Sequence, residues 1–164
     1  MIEVKYAKYD DMKTLAFIQT SSWKKGFENI LSEDTLEKYT DLEKCQMMLE
    51  KVYDSKSGNF YIACRDGKPC AELFWREGKE MDESAEIVAL HSIPESWGHG
   101  VGKAIMDKAT DDIKAKGYKH IYLWVFKENL RARKFYEKFG YSLDGEHRVS
   151  DFDESVELKY MYSF

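Results

Sequence analysis

At 164 residues, 43% hydrophobic and 15% aromatic, the chain is long enough to close one core and too apolar to stay disordered, so it is read as a single domain over residues 1–164. A net charge of −5 repels phosphate and attracts amines, which argues against a nucleic-acid partner; no window nears the roughly 20 apolar residues of a membrane span, and "MIEVKYAKYDD" lacks signal-peptide order. Cys45, Cys64 and Cys70 form no CxxC pair and have no neighbouring histidine, so they read as plain thiols with no metal site, in a cytoplasmic protein that is a monomer or a homodimer.

In chain order, "IEVKY" alternates like a strand, and "DDMKTLAFIQTSSW" sets Met12, Leu15, Ile18 and Trp23 near helical spacing behind an Asp cap. Ser32 is expected to cap one long helix through Tyr53, with Leu36, Tyr39, Leu42 and Met47 to Leu49 on its buried face. A hairpin follows, with Arg65, Asp66 and Gly67 turning between Phe60–Cys64 and Pro69–Trp75. "REGKEMDESA" is a polar turn into "AEIVALHSI", apolar enough for an interior strand. Val101, Ile105, Ala109 and Ile113 then make one stripe of a helix that Gly117 closes. "HIYLWVF" is apolar on both faces, completing a strand, crossover helix, parallel strand unit. Asn129 caps a further helix that ends at Gly140, and "EHRVSDF" and "SVELKYMYS" read as closing strands.

Between the interior strand and its crossover helix lies "IPESWGHGVGKAIM", with Gly98, Gly100 and Gly102 inside five positions. Successive backbone N–H groups in such a loop point outward together, and the helix N-terminus adds positive partial charge, so the loop is an anion cradle. A phosphate loop of the GxxxxGK[ST] kind needs glycine at Trp97 and a hydroxyl at Ala104. A dinucleotide GxGxxG needs glycine at Lys103 when begun at Gly98, and fails likewise when begun at Gly100. Taken alone, the remaining G-x-G-x-G is also compatible with an ordinary tight turn.

A second motif, "ENLRARKFYEKFGY", residues 128 to 141, decides between them. With the glycine loop, the chain resembles the GNAT superfamily of acyl-CoA-dependent N-acetyltransferases, specifically over residues 85 to 141 and in element order elsewhere. The resemblance implies an α/β fold with a mostly antiparallel twisted sheet of about seven strands, one parallel pair beside the glycine-loop helix, and helices on both faces. It implies acetyl-CoA as co-substrate, its pyrophosphate on Trp97, Gly98, His99, Gly100, Val101, Gly102 and Lys103. The pantetheine arm is then expected along Leu90, His91 and Ser92 and beside Asn129, Ala132 and Phe135. Trp97 stands where the family usually has Arg or Gln, but backbone amides carry most of the binding.

The chemistry explains the residue types. An alkylamine with a pKa near ~10 must lose a proton before it attacks a thioester, and the departing thiolate must gain one. By resemblance Tyr136 is the general acid; the plain alternative is a core aromatic, since Phe135, Tyr136 and Phe139 share a stripe. Glu86 is ranked first as base, directly or through water, against the alternative of a solvated charge; His91 is chemically able, and Glu72 and Glu95 rank lower. Arg131, Arg133 and Lys134 are read as meeting the adenosine-side phosphates or as a solvated stripe. The acceptor is a primary amine of a small molecule or peptide, in a cleft to which Trp23, Phe27, Tyr39, Trp75 and Tyr141 contribute unless they are core. The competing function is a catalytically silent acyl-CoA sensor, for which Tyr136 has no use.

Overall fold

The computed structural model describes every residue from Met1 to Phe164. The alternating opening residues form β1 (Ile2–Tyr6), which lies antiparallel to β2 (Asn59–Arg65), with Ile2 opposite Arg65 and Tyr6 opposite Tyr61. The expected hairpin joins β2 to β3 (Lys68–Glu77), and Asp66 and Gly67 take positive φ in its tight turn. β4 (Ser84–Ser92), β5 (His120–Phe126), β6 (Ser142–Val149) and β7 (Val156–Ser163) complete one seven-stranded sheet in the order β1-β2-β3-β4-β5-β7-β6. β4–β5 is its one parallel pair, because the crossover helix α4 (Val101–Ala115) lies between them in sequence. The fold class expected from the motifs is therefore the fold observed.

Two apolar layers hold the sheet. On one face α1 (Met12–Gly26) and α3 (Leu42–Asp54) bury Met12, Leu15, Ile18, Cys45 and Leu49 against Phe60, Ile62 and Phe74. On the other, α4 and α5 (Leu130–Phe139) cover Tyr61, Leu73, Trp75, Ile87, Ile121 and Leu123 with Ile105, Ile113 and Tyr136. The strands alternate between these layers, and each fully buried Leu or Ile is worth roughly 1.5–3 kcal/mol.

Two expectations need correction. The single helix from Ser32 to Tyr53 is two: α2 (Glu33–Tyr39) and α3. Asp41 adopts an extended conformation and its carboxylate accepts the Lys44 amide at 2.8 Å, so it caps a new helix and outcompetes continuation. β6 begins at Ser142 and ends at Val149, not at 146–152, and is exposed along its whole length. An edge strand with no buried face carries no period-2 apolar signal to read.

One irregularity shapes the site. Trp75 faces Ile87 and Phe74 faces Ala89, so Val88 is an extra residue in β4. At the same level β4 and β5 separate: their pairing runs from Ser84–His120 to Ile87–Leu123 and stops. Beyond it β4 stays on β3 as far as Ser92, while β5 stays on β7 as far as Phe126 opposite Glu157. The sheet therefore opens in a wedge at the carboxyl ends of its parallel pair, where open α/β sheets bind ligands.

Candidate active site

The glycine loop leaves β4 through a 3₁₀ turn at Pro94–Ser96, where the Ser96 hydroxyl donates to the Ile93 carbonyl at 2.8 Å. Gly98 and Gly100 have φ of +77° and +80°, in the left-handed region, and a Cβ on either would meet nothing closer than 3.8 Å. Backbone conformation, not space, selects glycine there. The amides of Gly98, Gly100, Val101, Gly102 and Lys103 have no acceptor in the protein and cluster at the N-terminus of α4. Gly102 differs: a Cβ there would come within 3.3 Å of the Phe135 ring, so this glycine lets α5 approach α4.

The sequence-derived cofactor residues divide into two groups. Leu90, His91, Ser92, Trp97, Gly98, Gly102, Asn129, Ala132 and Phe135, together with the expected acid Tyr136, line one cavity of about 990 Å³ that occupies the wedge between β4 and β5, while Gly100 does not line it. His99 is exposed and donates to the Trp97 carbonyl at 2.9 Å, Lys103 is exposed and paired with Asp107 at 2.6 Å, and Val101 is core; these contribute backbone only. Asn129 caps α5, its Oδ1 accepting the Ala132 amide at 3.2 Å.

Trp97 donates its indole N–H to the Ser92 carbonyl at 3.0 Å, and the Arg131 guanidinium stacks on its ring at 3.6 Å. Arg131 thus reaches the loop position that lacks a basic side chain, while Arg133 is turned to the Tyr160 hydroxyl and the Lys127 carbonyl. Tyr136 is 8% exposed, its hydroxyl makes no hydrogen bond, and burial pushes its pKa up to about 12 against the opposing charge of Arg131.

On the α1–α3 side the cavity is walled by aromatic rings. Trp23 packs edge-on against Phe27 and Phe152 with centroids 5.0 and 5.3 Å apart, Tyr39 meets Phe152 at 4.9 Å, and Phe27 meets Phe126 at 5.0 Å. Phe152 lies in the β6–β7 loop, which is pinned to the start of α2: Asp153 accepts from the Thr35 hydroxyl at 2.6 Å and the Ser32 amide at 2.7 Å. These bonds, Thr35's first, hold the Asp153 carboxyl below its ordinary range. Trp75 and Tyr141 are absent from this wall and belong to the α4-side core. Phe126 and Phe152 were missed because their runs read as strand interior and strand end.

Among the proton-accepting candidates, Glu86 is buried beside its cross-strand partner Arg76, with ion-pair contact at 2.9 Å, and does not line the cavity. Glu95 is exposed. Glu72 is fully buried; its Oε1 lies 2.6 Å from His91 Nδ1, its Oε2 has no partner, and Trp23 Nε1–H donates to His91 Nε2 at 3.0 Å. All three line the cavity.

A wedge in a mixed sheet thus joins free loop amides, suited to an anion, and an aromatic pocket in one cavity. The sequence profile of the Acetyltransferase (GNAT) family matches residues 24–141, and the chain belongs to that family. It is 24% identical over 144 residues, 87% of this chain and 89% of the relative, to spermidine N(1)-acetyltransferase of Thermoplasma acidophilum. It is 33% identical over 86 residues to the uncharacterized N-acetyltransferase MJ1207 of Methanocaldococcus jannaschii, covering 50% of this chain and 38% of that protein's length. The crystal structure of PaiA N-acetyltransferase from Thermoplasma acidophilum in complex with coenzyme A superposes with a TM-score of 0.77 at 22% identity, covering 99% of both chains. No helix here is long and apolar enough to cross a membrane.

Proposed function

We propose that this protein transfers an acetyl group from acetyl-CoA to the primary amine of a small molecule or peptide. The observation that carries this reading is the single cavity joining the free amides of the glycine loop to the aromatic pocket through the parted strands. Acetyl-CoA supplies the activated acetyl group as a thioester. The loop amides and the N-terminus of α4 suit its pyrophosphate, Arg131 adds a cation beside them, and the uncovered edge of Leu90–Ser92 suits the amide-bearing arm. The amine nitrogen attacks the thioester carbon, the C–S bond breaks, and Tyr136 gives its phenolic proton to the sulfur, recovering one from the reacting nitrogen.

The acceptor end favours one ammonium on an apolar or aromatic body. Although the chain carries a net −5, the cavity is lined by Lys38, Lys44, Arg76, Arg131 and Arg148 against Asp41, Glu72 and Glu157. Arg148 already holds Glu157 at 3.2 Å, which leaves Asp41 and the buried Glu72 against four further cationic side chains, a poor match for a polycation such as spermidine, the acceptor in the Thermoplasma relative's name. Glu86, outside the cavity lining and engaged by Arg76, acts by keeping that guanidinium in the wall.

The test has two parts. Acetyl-CoA at 100 times its dissociation constant is expected to add about 2.7 kcal/mol, a melting rise of roughly 5–10 °C for a chain of this size. A panel of monoamines, polyamines and peptides assayed for coenzyme A release is expected to rank aromatic or apolar monoamines above spermidine. No melting shift at millimolar acetyl-CoA rejects the reading.

A further inference from the structure

We propose that Glu72 and His91 form a buried proton-accepting pair for the acceptor amine, with the Trp23 indole as the latch that keeps it ready. The inference rests on the acetyl-transfer reading, and three observations on the α1–α3 side of the wedge carry it.

The first is the unused capacity of Glu72. It sits in mid-β3 with no exposed surface, one oxygen on His91 and the other unpartnered. No lysine or arginine lies within ion-pair distance of it. A buried carboxylate with half its acceptors empty and no cation is costly unless something brings a proton or a positive charge to it. The groups facing the pair are Trp23 from α1, Cys45 from α3, and, further along the same face, the Arg76–Glu86 couple, whose charges already answer each other. Burial and the nearby Glu72 charge together push the Cys45 thiol up to about 12, so it holds its proton and offers no balancing cation.

The second is the tautomer that the geometry imposes. An indole N–H only donates, so His91 Nε2 must be the unprotonated nitrogen and the ring proton must lie on Nδ1, donated to Glu72. The ring is thereby fixed with its lone pair toward the aromatic pocket. The third is access: the His91 side chain is 13% exposed against 0% for Glu72, so the imidazole meets the acceptor and the carboxylate acts through it.

The step balances. An incoming ammonium takes the place of the Trp23 N–H at Nε2 and gives that nitrogen one proton, which frees the amine lone pair for attack. The imidazolium so formed keeps its Nδ1–H on Glu72 and supplies the cation the carboxylate lacked; the proton passes to solvent after transfer. His91 is the catalytic residue and Glu72 its positioning residue. Each residue is a base candidate in the sequence, but their pairing is not legible there, because only the register of β3 on β4 sets Glu72 opposite His91.

Two nucleophiles separate proton acceptance from mere support of the fold. Benzylamine is protonated near neutrality and needs a base, whereas hydroxylamine is uncharged there and does not. Coenzyme A release is followed with each for the wild type, Glu72→Gln, which preserves shape and a hydrogen bond to Nδ1, and His91→Gln. The expected result is a loss on the order of 10²-fold with benzylamine in both variants and a loss at least about tenfold smaller with hydroxylamine. Equal losses with both nucleophiles, or none with benzylamine, overturn the pair. An imidazole-nitrogen NMR spectrum of the ¹⁵N-histidine protein gives a readout independent of turnover. His91 is expected to carry its proton on Nδ1, to lose that preference in Trp23→Phe, and to shift at Nε2 when benzylamine is added with coenzyme A present. A proton on Nε2 in the wild type overturns the proposal. A wild type that releases no coenzyme A with either nucleophile and shows no melting shift with acetyl-CoA rejects acetyl transfer instead, and the spectrum alone then decides the pair.

Discussion

Tyr136 shows how much one side chain's surroundings decide. Its ring packs 5.4 Å from Phe135, 5.9 Å from Tyr141 and 6.5 Å from Tyr160, yet its hydroxyl has no partner, and the residue lines the cavity. Burial pushes the phenol up to about 12, so at working pH it holds its proton; that shift makes donation harder, and the acid assignment rests on the unpartnered hydroxyl of a cavity-lining residue. Tyr136→Phe keeps the ring contacts, so the acetyl-CoA dissociation constant, measured by calorimetry, is expected to stay within about twofold while turnover falls on the order of 10²- to 10⁴-fold. Wild-type turnover in that variant removes the acid assignment. This residue stood out in the sequence because its motif is local, all within 14 residues of one helix and its flanks. The engagement of Glu86 by Arg76 did not, because a cross-strand pair depends on register, and register here is shifted by one residue at Val88.

At the scale of elements, the bulge and the wedge belong together. A bulge bends and twists its strand, and this one falls at the last paired level of β4 and β5, so the extra residue turns β4 away from its parallel neighbour. Deleting Val88 leaves every β3–β4 pair on either side as it is, from Trp75–Ile87 to Phe74–Ala89, and removes only the surplus residue. The deletion variant is expected to stay folded, with a far-UV spectrum like the wild type's, and to lose acetyl-CoA binding at least tenfold as β4 closes toward β5. Retained affinity would separate the bulge from the wedge. The helices were legible where cap and stripe agree, as in α4 and α5. The break at Thr40–Asp41 was written as an N-cap but overrun by apolar residues that continue on both sides. The bulge left no mark, since Val88 is one apolar residue inside an apolar run, and nothing in composition says which residue of a strand is surplus.

For the whole molecule, burial of acid groups in the two apolar layers has a consequence for pH: it pushes Tyr136 and Cys45 up to about 12, and raises Tyr61 and Tyr141 as well. Below about pH 8 all four are protonated in both folded and unfolded chains, so they leave stability independent of pH. Above about pH 9 the unfolded chain sheds these protons while the folded one retains them, and stability falls as pH climbs toward 12. For Tyr136, the gap between an ordinary phenol near 10 and about 12 corresponds to a loss on the order of 2 kcal/mol. Urea midpoints are therefore expected to hold steady between about pH 7 and pH 8 and to drop markedly by about pH 11, with a shallower drop in Tyr136→Phe, which has no phenol to deprotonate. Saturating acetyl-CoA is expected to raise the whole curve, because a ligand bound only by the folded chain adds stability at every pH where it binds. A midpoint unchanged from about pH 8 to pH 11 would mean that these groups are hydrated in the native protein.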